Sequence, residues 1–336
     1  MDDTGRTLLS ISDLAVGFDT EDGYLRAVDG VSLVVYDNEV LGLVGESGCG
    51  KSVTALSILR LIPRPPGRIE SGRILFDGSD ILAMNSGELS RLRGASISMI
   101  FQDPMAALSP LWKIGDQMAE TLSIHGEASG PSALSIAESW LGRVHIPEPS
   151  RTLSAYPHEL SGGMQQRVMI AMALMLNPRL IIADEPTTAL DVTVAAQIFD
   201  LLRAMRADRT SVLLITHDLG VVWEMCDRVA VMYAGKIVET ARVKELFESP
   251  AHPYTQGLLA SIPVLDEEKE QELDFYTIEG QVPSPLDYPP GCRFSDRCSF
   301  AFERCKKEEP PLFVFTGNRQ SACFLAARWI PSVEMR

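Results

Sequence analysis

Short apolar runs separated by polar turns predict an antiparallel sheet in the first part of the chain. Between residues 8 and 44 such runs alternate with turn residues, and Ile74-Leu75-Phe76 forms another run just before Asp77-Gly78. Asp-Gly is a turn dipeptide that joins neighbouring antiparallel strands. We therefore expect an antiparallel β subdomain in this region.

Helical periodicity replaces this alternation across residues 103–158. Ile114 to Ile124 and Ser135 to Val144 repeat apolar residues at the spacing of one helix face, and turns rich in glycine and proline separate them. The pattern predicts a helical subdomain that is inserted between strands. Met164 to Leu176 is predicted as a further helix.

Three other apolar runs are each followed directly by polar residues that can carry chemistry. Val40 to Val44 precedes a glycine-rich loop, Leu180 to Ala183 precedes Asp184-Glu185, and Val212 to Ile215 precedes Thr216-His217-Asp218. Runs without polar alternation are typical of strands buried on both faces, and parallel strands bring their carboxyl ends to one edge. The chain is therefore predicted to be an α/β protein whose functional residues gather at that edge.

The glycine-rich loop, Gly45-Glu46-Ser47-Gly48-Cys49-Gly50-Lys51-Ser52, matches the phosphate-binding pattern G-x-x-x-x-G-K-S. A strand precedes it and a predicted helix from Val53 to Ile62 follows it, which is the context that the motif requires. Glycines let backbone N–H groups approach phosphate oxygens, and the start of the helix adds positive potential. Lys51 is predicted to reach the β- and γ-phosphates, and the Ser52 hydroxyl to bind Mg²⁺. The predicted nucleotide contacts in this segment are Gly45, Ser47, Gly48, Cys49, Gly50, Lys51, Ser52 and Val53.

The two carboxylates after the second run have different predicted roles. Asp184 ends the predicted strand and is expected to face Mg²⁺. Glu185 lies one residue later, where a carboxylate can polarise the water that attacks the γ-phosphate. An acidic turn held by salt bridges is the alternative interpretation. We favour the catalytic role because His217 is brought to the same edge of the sheet.

The order of the motifs carries a resemblance to a known family. The string Leu160-Ser161-Gly162-Gly163-Met164-Gln165-Gln166-Arg167 lies between the phosphate loop and Asp184-Glu185, and with it the chain resembles the nucleotide-binding subunits of ABC transporters. The resemblance implies a P-loop NTPase core of the ABC ATPase type, with an antiparallel β subdomain and an inserted helical subdomain. It also implies that Ser161, Gly162 and Gly163 bind the γ-phosphate held by a second ATPase subunit, which is either a copy or a paralogue.

Three residues around the γ-phosphate take their roles from the same resemblance. Gln102, in Phe101-Gln102-Asp103-Pro104, would contact Mg²⁺ together with Ser52 and Asp184. It would also touch the attacking water and sense the membrane partner. His217 would bind the γ-phosphate, so that Glu185, His217 and Gln102 form the expected catalytic set.

Two further roles lie at the edges of the expected site. Asp191, in Ala189-Leu190-Asp191, would couple the two ATP sites of a dimer. Phe18 would stack on adenine, but Tyr24 lies close enough in sequence to replace it.

The region after the hairpin predicted at Val229 to Thr240 resembles one subfamily of these transporter ATPases. His252-Pro253-Tyr254-Thr255 is similar to a signature of ATPases that serve dipeptide, oligopeptide and nickel importers, and Gly317 to Cys323 is similar to the D-type subunits of dipeptide importers. The resemblance implies ATP-driven import of dipeptides or oligopeptides, through two membrane permease subunits and, indirectly, an extracytoplasmic solute-binding protein. Import of nickel or another small solute, and a soluble ABC ATPase, are the alternatives.

Length and composition support this organisation. With 336 residues and 46% hydrophobic content, the chain has enough apolar residues for one large α/β domain and a small one. We predict a nucleotide-binding domain over residues 1–262 and a C-terminal domain over residues 263–336.

The sequence has neither a secretory signal nor an apolar run of the roughly 18 residues that a membrane helix needs. The chain is therefore expected to stay in the cytoplasm, and the resemblance to transporter ATPases implies a peripheral location on the cytoplasmic face of the membrane. Nucleic acid is not an expected partner because the net charge is −15.

Four of the six cysteines, namely Cys292, Cys298, Cys305 and Cys323, fall within the predicted C-terminal domain. A reducing cytoplasm disfavours disulfides, so the residue types point to a metal bound by thiolates. The spacing fits neither a zinc knuckle nor the common ferredoxin patterns, and it leaves iron–sulfur, zinc and free thiols open. The family resemblance favours a 4Fe-4S cluster, which is the expectation adopted for these cysteines.

Overall fold

Two β-sheets organise the part of the chain that the computed structural model describes, which is residues 5–207, 209–262 and 277–328. Helices cover the larger sheet, and an inserted group of helices interrupts it. The strands are β1 (Thr7–Thr20), β2 (Gly23–Tyr36), β3 (Val40–Val44), β4 (Gly67–Phe76), β5 (Ser79–Asp80), β6 (Ile97–Ile100), β7 (Leu180–Asp184), β8 (Ser211–Ile215), β9 (Arg228–Tyr233), β10 (Lys236–Arg242), β11 (Phe313–Val314) and β12 (Gln320–Ser321). The helices are α1 (Lys51–Ile58), α2 (Ser86–Leu92), α3 (Ile114–Ile124), α4 (Gly130–Arg143), α5 (Pro149–Leu153), α6 (Gly162–Leu174), α7 (Val192–Ala207), α8 (Leu219–Met225), α9 (Val243–Glu248), α10 (Pro253–Ala260) and α11 (Glu303–Lys307).

The larger sheet has the strand order β11-β12-β10-β9-β3-β8-β7-β6. Its central strands β3, β8 and β7 pair in parallel, and every residue in them is buried. Burial on both faces explains why their sequences lack polar alternation. Parallel pairing brings the phosphate loop, Asp184-Glu185 and His217 to one edge, so the predicted gathering of strand ends is confirmed.

The smaller sheet has the order β2-β1-β4-β5 and is antiparallel throughout. The antiparallel prediction is confirmed for β1 and β2, and Asp77-Gly78 forms the turn between β4 and β5 with positive φ at both residues. That antiparallel prediction was wrong for residues 40–44, which form β3 of the larger sheet, whereas the separate prediction of a strand buried on both faces was correct for them. The uniformly apolar sequence of β3, rather than alternation, was the signal for that placement.

Helices α3 to α6 occupy the chain between β6 and β7, and their apolar residues share one core with strands of the larger sheet and with α7. Ile114, Met118 and Leu122 of α3 are buried with Ala137 and Leu141 of α4. Helix α4 begins earlier than its apolar periodicity indicated, because Pro131 suits the first turn of a helix. The inserted helices match the predicted type of subdomain, while its limits at residues 103 and 158 stay predictions.

The segment after α10 returns to the larger sheet. Strand β12 pairs with β10, with Ser321 opposite Glu239, and β11 pairs with β12. The predicted domain division at residue 262 stays a prediction, and the acidic stretch at residues 266–274 lies outside the described residues. No helix in the described ranges is both long and apolar enough to cross a membrane.

A buried ion pair fastens this segment to β10. The Glu239 side chain is fully buried, and its Oε1 accepts a hydrogen bond from Arg319 Nη2 at 3.1 Å. The same carboxylate accepts hydrogen bonds from the backbone N–H groups of Ala251 and His252, at 2.8 and 2.9 Å. Glu239 therefore joins β10, the start of α10 and the C-terminal segment.

Replacing Arg319 with methionine should destabilise the protein strongly, because Glu239 would remain as a buried carboxylate without its counter-ion. We expect the free energy of unfolding to fall by about 3–5 kcal/mol, measured by urea unfolding. The control is Arg304→Met, which breaks an exposed pair with Glu308 in the same segment and should cost about 1 kcal/mol or less. Equal losses in the two variants would contradict the prediction.

Candidate active site

The phosphate loop connects buried strand β3 to helix α1 at the edge of the larger sheet. Lys51 is the first residue of α1, and its ammonium group is buried beneath the loop. It donates hydrogen bonds to the backbone oxygens of Gly45 at 2.7 Å and Glu46 at 3.0 Å. The loop thus wraps around the lysine that is predicted to bind phosphate, and its charge is held at the start of the helix.

Two glycines of the loop adopt backbone conformations that disfavour other residues. Gly45 has φ of 154°, and a Cβ atom there would lie 2.1 Å from the backbone oxygen of Met232. Gly48 has φ of 78°, but no atom lies within 4 Å of the corresponding position. The first glycine is therefore required by a close approach to β9 and the second by backbone conformation alone.

Asp184 lies at the end of β7 beside Ser52. Burial raises the pKa of the Asp184 carboxyl; a hydrogen bond from Ser52 opposes this shift, and the charge of Glu185 adds to it. Its Oδ1 atom is buried and has no hydrogen-bond partner. A buried carboxylate oxygen without a partner, next to a hydroxyl group, suits a magnesium ion, which prefers oxygen ligands.

Glu185 is the centre of a hydrogen-bonded group at the same edge. Its backbone has φ of 47°, and its N–H donates to the Ile215 oxygen of β8 at 2.9 Å. Gln102 Nε2 donates to Glu185 Oε2 at 3.0 Å, and His217 Nδ1 lies 3.2 Å from Oε1. The three residues predicted to be catalytic are therefore in direct contact, although their chemical roles stay predictions.

The hydroxyl of Thr188 is a further neighbour of Glu185 that the sequence had not indicated. Its Oγ1 donates to the Glu185 backbone oxygen at 3.1 Å and lies 3.3 Å from Oε2. His217 and the loop residues Gly45 and Glu46 also line one cavity of about 300 Å³. Space for a ligand is thus present between the phosphate loop and the histidine.

Ser161, Gly162 and Gly163 form the exposed start of helix α6. Ser161 caps the helix, with its hydroxyl accepting from the Met164 N–H at 3.3 Å. No atom lies within 4 Å of a Cβ position at Gly162. Among the described residues, no hydrogen bond joins these three residues to the phosphate loop. Ser161 and Gly162 are exposed and Gly163 is half-buried, and N–H groups in the first turn of a helix have no partner within the helix. Binding of these residues to a second subunit's nucleotide stays a prediction.

Gln166, in the same string, connects α6 to the segment after Glu185. Its side chain is fully buried; Nε2 donates to the Pro186 oxygen at 2.5 Å, and Oε1 accepts from the Ala189 N–H at 3.2 Å. The sequence motif contained this glutamine, but its partners were not predicted. The contact joins the start of α6 to the loop that carries Asp191.

Asp191 caps helix α7, accepting a hydrogen bond from the Val194 N–H at 3.0 Å. A coupling role between two ATP sites stays a prediction. Phe18 is half-buried against the core, whereas Tyr24 hydrogen-bonds to Glu70 and carries the Arg68 guanidinium 4.7 Å from its ring centre. One face of Tyr24 is therefore occupied, and Phe18 stays the predicted adenine contact.

The prediction of a 4Fe-4S cluster at Cys292, Cys298, Cys305 and Cys323 was wrong. These cysteines line one small cavity of about 20 Å³ with phenylalanine and proline side chains, but no group of three or more His, Cys, Asp or Glu residues in the described ranges is arranged to hold a metal ion. Burial raises the pKa of Cys292 to about 11 and that of Cys323 to about 12, which favours the neutral thiol over the thiolate that binds metal. All four are free cysteines, and the zinc alternative fails on the same geometry.

Comparisons with known proteins agree with the geometry of the phosphate loop and strand ends. Residues 28–188 match the family model described as ABC transporter, and residues 238–305 match the one described as oligopeptide/dipeptide transporter, C-terminal region. The chain is 48% identical to a putative peptide import ATP-binding protein of Brucella melitensis, over 94% of each chain. It is 47% identical to the oligopeptide transport ATP-binding protein OppD of Bacillus subtilis, over 97% of this chain and 91% of that one.

Solved structures show the same similarity at the level of the fold. The dimeric structure of MJ0796, described as a bacterial ABC transporter cassette, superimposes with a TM-score of 0.64 and 27% sequence identity. The match covers 70% of this chain and 99% of that one. A second structure of MJ0796 is a dimeric post-hydrolysis state bound to ADP and Pi, with the same TM-score of 0.64.

Alanine at Gly45 should destabilise the protein more than alanine at Gly48. The Gly45 substitution forces a Cβ against a backbone oxygen of β9, and we expect a loss of about 3 kcal/mol or more in the free energy of unfolding. The Gly48 substitution adds only the left-handed backbone strain, about 1–2 kcal/mol. Urea unfolding of both variants measures the difference, and a larger loss at Gly48 would show that the close approach to Met232 is not the dominant constraint.

Proposed function

Because this chain belongs to the ABC transporter family, we propose that it is the ATP-hydrolysing subunit of an importer for dipeptides or oligopeptides. The observation that carries the proposal is Glu185, held by Gln102 and His217 at the edge where the phosphate loop ends. Peptide import is supported by the names of the Brucella and Bacillus relatives and by the match of residues 238–305. That match favours a transporter over a soluble ABC ATPase.

Binding of ATP begins at the phosphate loop. Backbone N–H groups from Gly45 to Val53 surround the phosphates, and Lys51 leaves the loop oxygens to contact the β- and γ-phosphates. Ser52 and Asp184, with Gln102, would hold Mg²⁺, and the unpartnered Asp184 Oδ1 supports this assignment. When bound, Mg²⁺ neutralises charge that develops on the phosphate oxygens.

Hydrolysis depends on the orientation of the Glu185 carboxylate. Glu185 accepts a proton from the water that attacks the γ-phosphate, while Gln102 and His217 fix the two carboxylate oxygens in space. His217 is largely exposed and lines the cavity beside the loop, from where its ring reaches the γ-phosphate. The reaction thus needs a polarised water, a stabilised phosphoryl group and little covalent chemistry from the protein.

A second ATPase subunit completes the site, with Ser161, Gly162 and Gly163 of one subunit facing the γ-phosphate in the other. The exposure of Ser161 and Gly162 at the start of α6 and the dimeric state of MJ0796 support this arrangement. Asp191, at the start of α7, lies between the two sites and couples them. The partner is a copy of this chain or a paralogue.

Three exposed apolar residues support a contact with a membrane partner. Met105, Leu111 and Trp112 have exposed side chains close to Gln102 in sequence, whereas Leu108, Ile114 and Met118 are buried in the helical core. We assign the exposed three to contact with one of two membrane permease subunits. The chain therefore acts from the cytoplasmic face as a peripheral subunit, and an extracytoplasmic binding protein delivers the peptide to the permeases.

Changing Glu185 to glutamine should abolish hydrolysis while keeping ATP binding. The amide retains the size of the side chain but cannot accept the proton, so we expect phosphate release to fall about a hundredfold or more. Phosphate release by the reconstituted importer and MgATP affinity are the two measurements. Glu120→Gln, at an exposed position of α3, is the control and should leave both unchanged. Hydrolysis that survives at the wild-type rate would refute the role of Glu185.

Changing Leu111 to serine should weaken the assembly with the permeases without weakening the fold. The Leu111 side chain is 83% exposed, so its removal costs little core packing. We expect at least a severalfold loss of permease subunits that co-purify from membranes, and unchanged MgATP affinity. Ile124→Ser is the matched control, because Ile124 is 66% exposed at the C-terminal end of α3, whereas Leu111 precedes the start of that helix. Equal co-purification of both variants would place the permease contact elsewhere.

A further inference from the structure

The C-terminal half of the chain contacts Glu46, the second residue of the phosphate loop, in two ways. The Arg297 guanidinium forms a two-pronged ion pair with the Glu46 carboxylate, with Nη1 to Oε2 at 2.7 Å and Nη2 to Oε1 at 3.0 Å. The Tyr254 hydroxyl accepts a hydrogen bond from the Glu46 N–H at 2.9 Å. Both the side chain and the backbone of Glu46 are thus held by residues that lie over 200 positions later.

Arg297 is fixed independently of Glu46. Its side chain is only 6% exposed, and it donates to the backbone oxygens of Glu279 at 2.9 Å and Ile278 at 3.2 Å. The guanidinium also lies near the rings of Tyr233 and Phe294, 5.8 and 6.0 Å from their centres. The hydrogen bonds to Glu46 raise the pKa of Arg297 above its usual range. Arg297 is therefore a permanent, oriented cation beside the loop.

Tyr254, like Arg297, is held in place by contacts other than the one with Glu46. It lies in the first turn of α10, is fully buried and packs against Tyr233 with ring centres 4.6 Å apart. Phe294 covers it from another direction, at 5.4 Å. The hydroxyl that receives the Glu46 N–H is thus carried by an aromatic cluster that joins α10, β9 and the C-terminal segment.

Glu46 is also in direct contact with Lys51, the residue proposed to bind phosphate. Its backbone oxygen accepts hydrogen bonds from Lys51 Nζ at 3.0 Å and from the Cys49 N–H at 3.3 Å. The Glu46 carboxylate is 26% exposed and would repel the phosphates of ATP if its charge were not balanced. Arg297 supplies the balancing charge, and Tyr254 sets the direction in which the Glu46 peptide faces.

We propose that Arg297 and Tyr254 are positioning residues of the ATP site, which hold the phosphate loop in the shape that binds nucleotide. This inference rests on the proposed ATPase function and adds the C-terminal segment to its machinery. The contrasting interpretation is that the two residues only attach the C-terminal segment to the larger sheet. The two interpretations differ in whether MgATP affinity depends on the Arg297–Glu46 charge pair.

Nucleotide affinity of the full-length chain tests the proposal. In a Glu185→Gln parent, which prevents turnover, Arg297→Gln should weaken MgATP binding about tenfold, as expected for the loss of a charge-assisted hydrogen bond. Arg297→Lys should give an intermediate affinity, since lysine restores the charge without the two-pronged geometry. Arg304→Gln is the control, because this arginine forms an exposed pair with Glu308 in the same segment and should leave affinity unchanged.

A double-mutant cycle separates charge balance from attachment of the segment. If Arg297 acts by neutralising Glu46, adding Glu46→Gln to Arg297→Gln should restore much of the lost affinity, because the unbalanced carboxylate disappears. If Arg297 only fastens the segment, the second substitution restores nothing. The absence of any restoration, or an affinity of Arg297→Gln within twofold of the control, would overturn the proposal.

Tyr254→Phe provides a test that keeps both partners of the Arg297–Glu46 ion pair. Phenylalanine keeps the aromatic packing and removes only the hydroxyl, so we expect a severalfold loss of MgATP affinity with little change in the melting temperature. Unchanged affinity would remove Tyr254 from the proposal. A parent chain without MgATP affinity would refute the ATPase function and this inference together, whereas failure of the inference alone appears only in the variants.

Discussion

The parallel pairing of β3, β8 and β7 is the constraint on which the ATP site depends. Leu43 lies opposite Ile215, and Ile215 lies opposite Asp184, so the phosphate loop, His217 and Glu185 begin at the same level of the sheet. Because these strands are buried on both faces, a shift by one residue would misplace every side chain along them. Strand register therefore determines how close the phosphate loop, Glu185 and His217 can lie. The loops after the strands need to be only short to bring these residues together.

This constraint explains how much of the site was predictable from the sequence. The phosphate loop, Asp184 and His217 each follow an apolar strand directly, so local pattern and the rule for parallel strand ends were sufficient. Gln102 received its place only from the family resemblance, since the residues after β6 carry no comparable local signal. The contacts of Gln166, Arg297 and Tyr254 were not predictable in this way, because their partners are set by packing between distant segments.

The cysteines show why residue type and clustering are weaker signals than register. Cys292, Cys298, Cys305 and Cys323 do approach one another, as their clustering in sequence indicated, and they line a single small cavity. A metal site also requires thiolates aimed at a common point, whereas aromatic and proline side chains share this cavity and burial raises the pKa of Cys292 and Cys323. Proximity was thus predicted correctly, and the chemistry inferred from it was not.

The segment after β6 joins the group around Glu185 to exposed apolar residues. Gln102 contacts Glu185, and Asp103 caps the 3₁₀ turn that carries the exposed Met105. Only a few residues separate Gln102, which donates a hydrogen bond to the Glu185 carboxylate, from the exposed apolar residues that we propose to contact a permease. Glu46 joins the phosphate loop to Arg297 of the C-terminal segment. Glu185 and the phosphate loop are therefore each contacted by a segment that packs in a different apolar cluster.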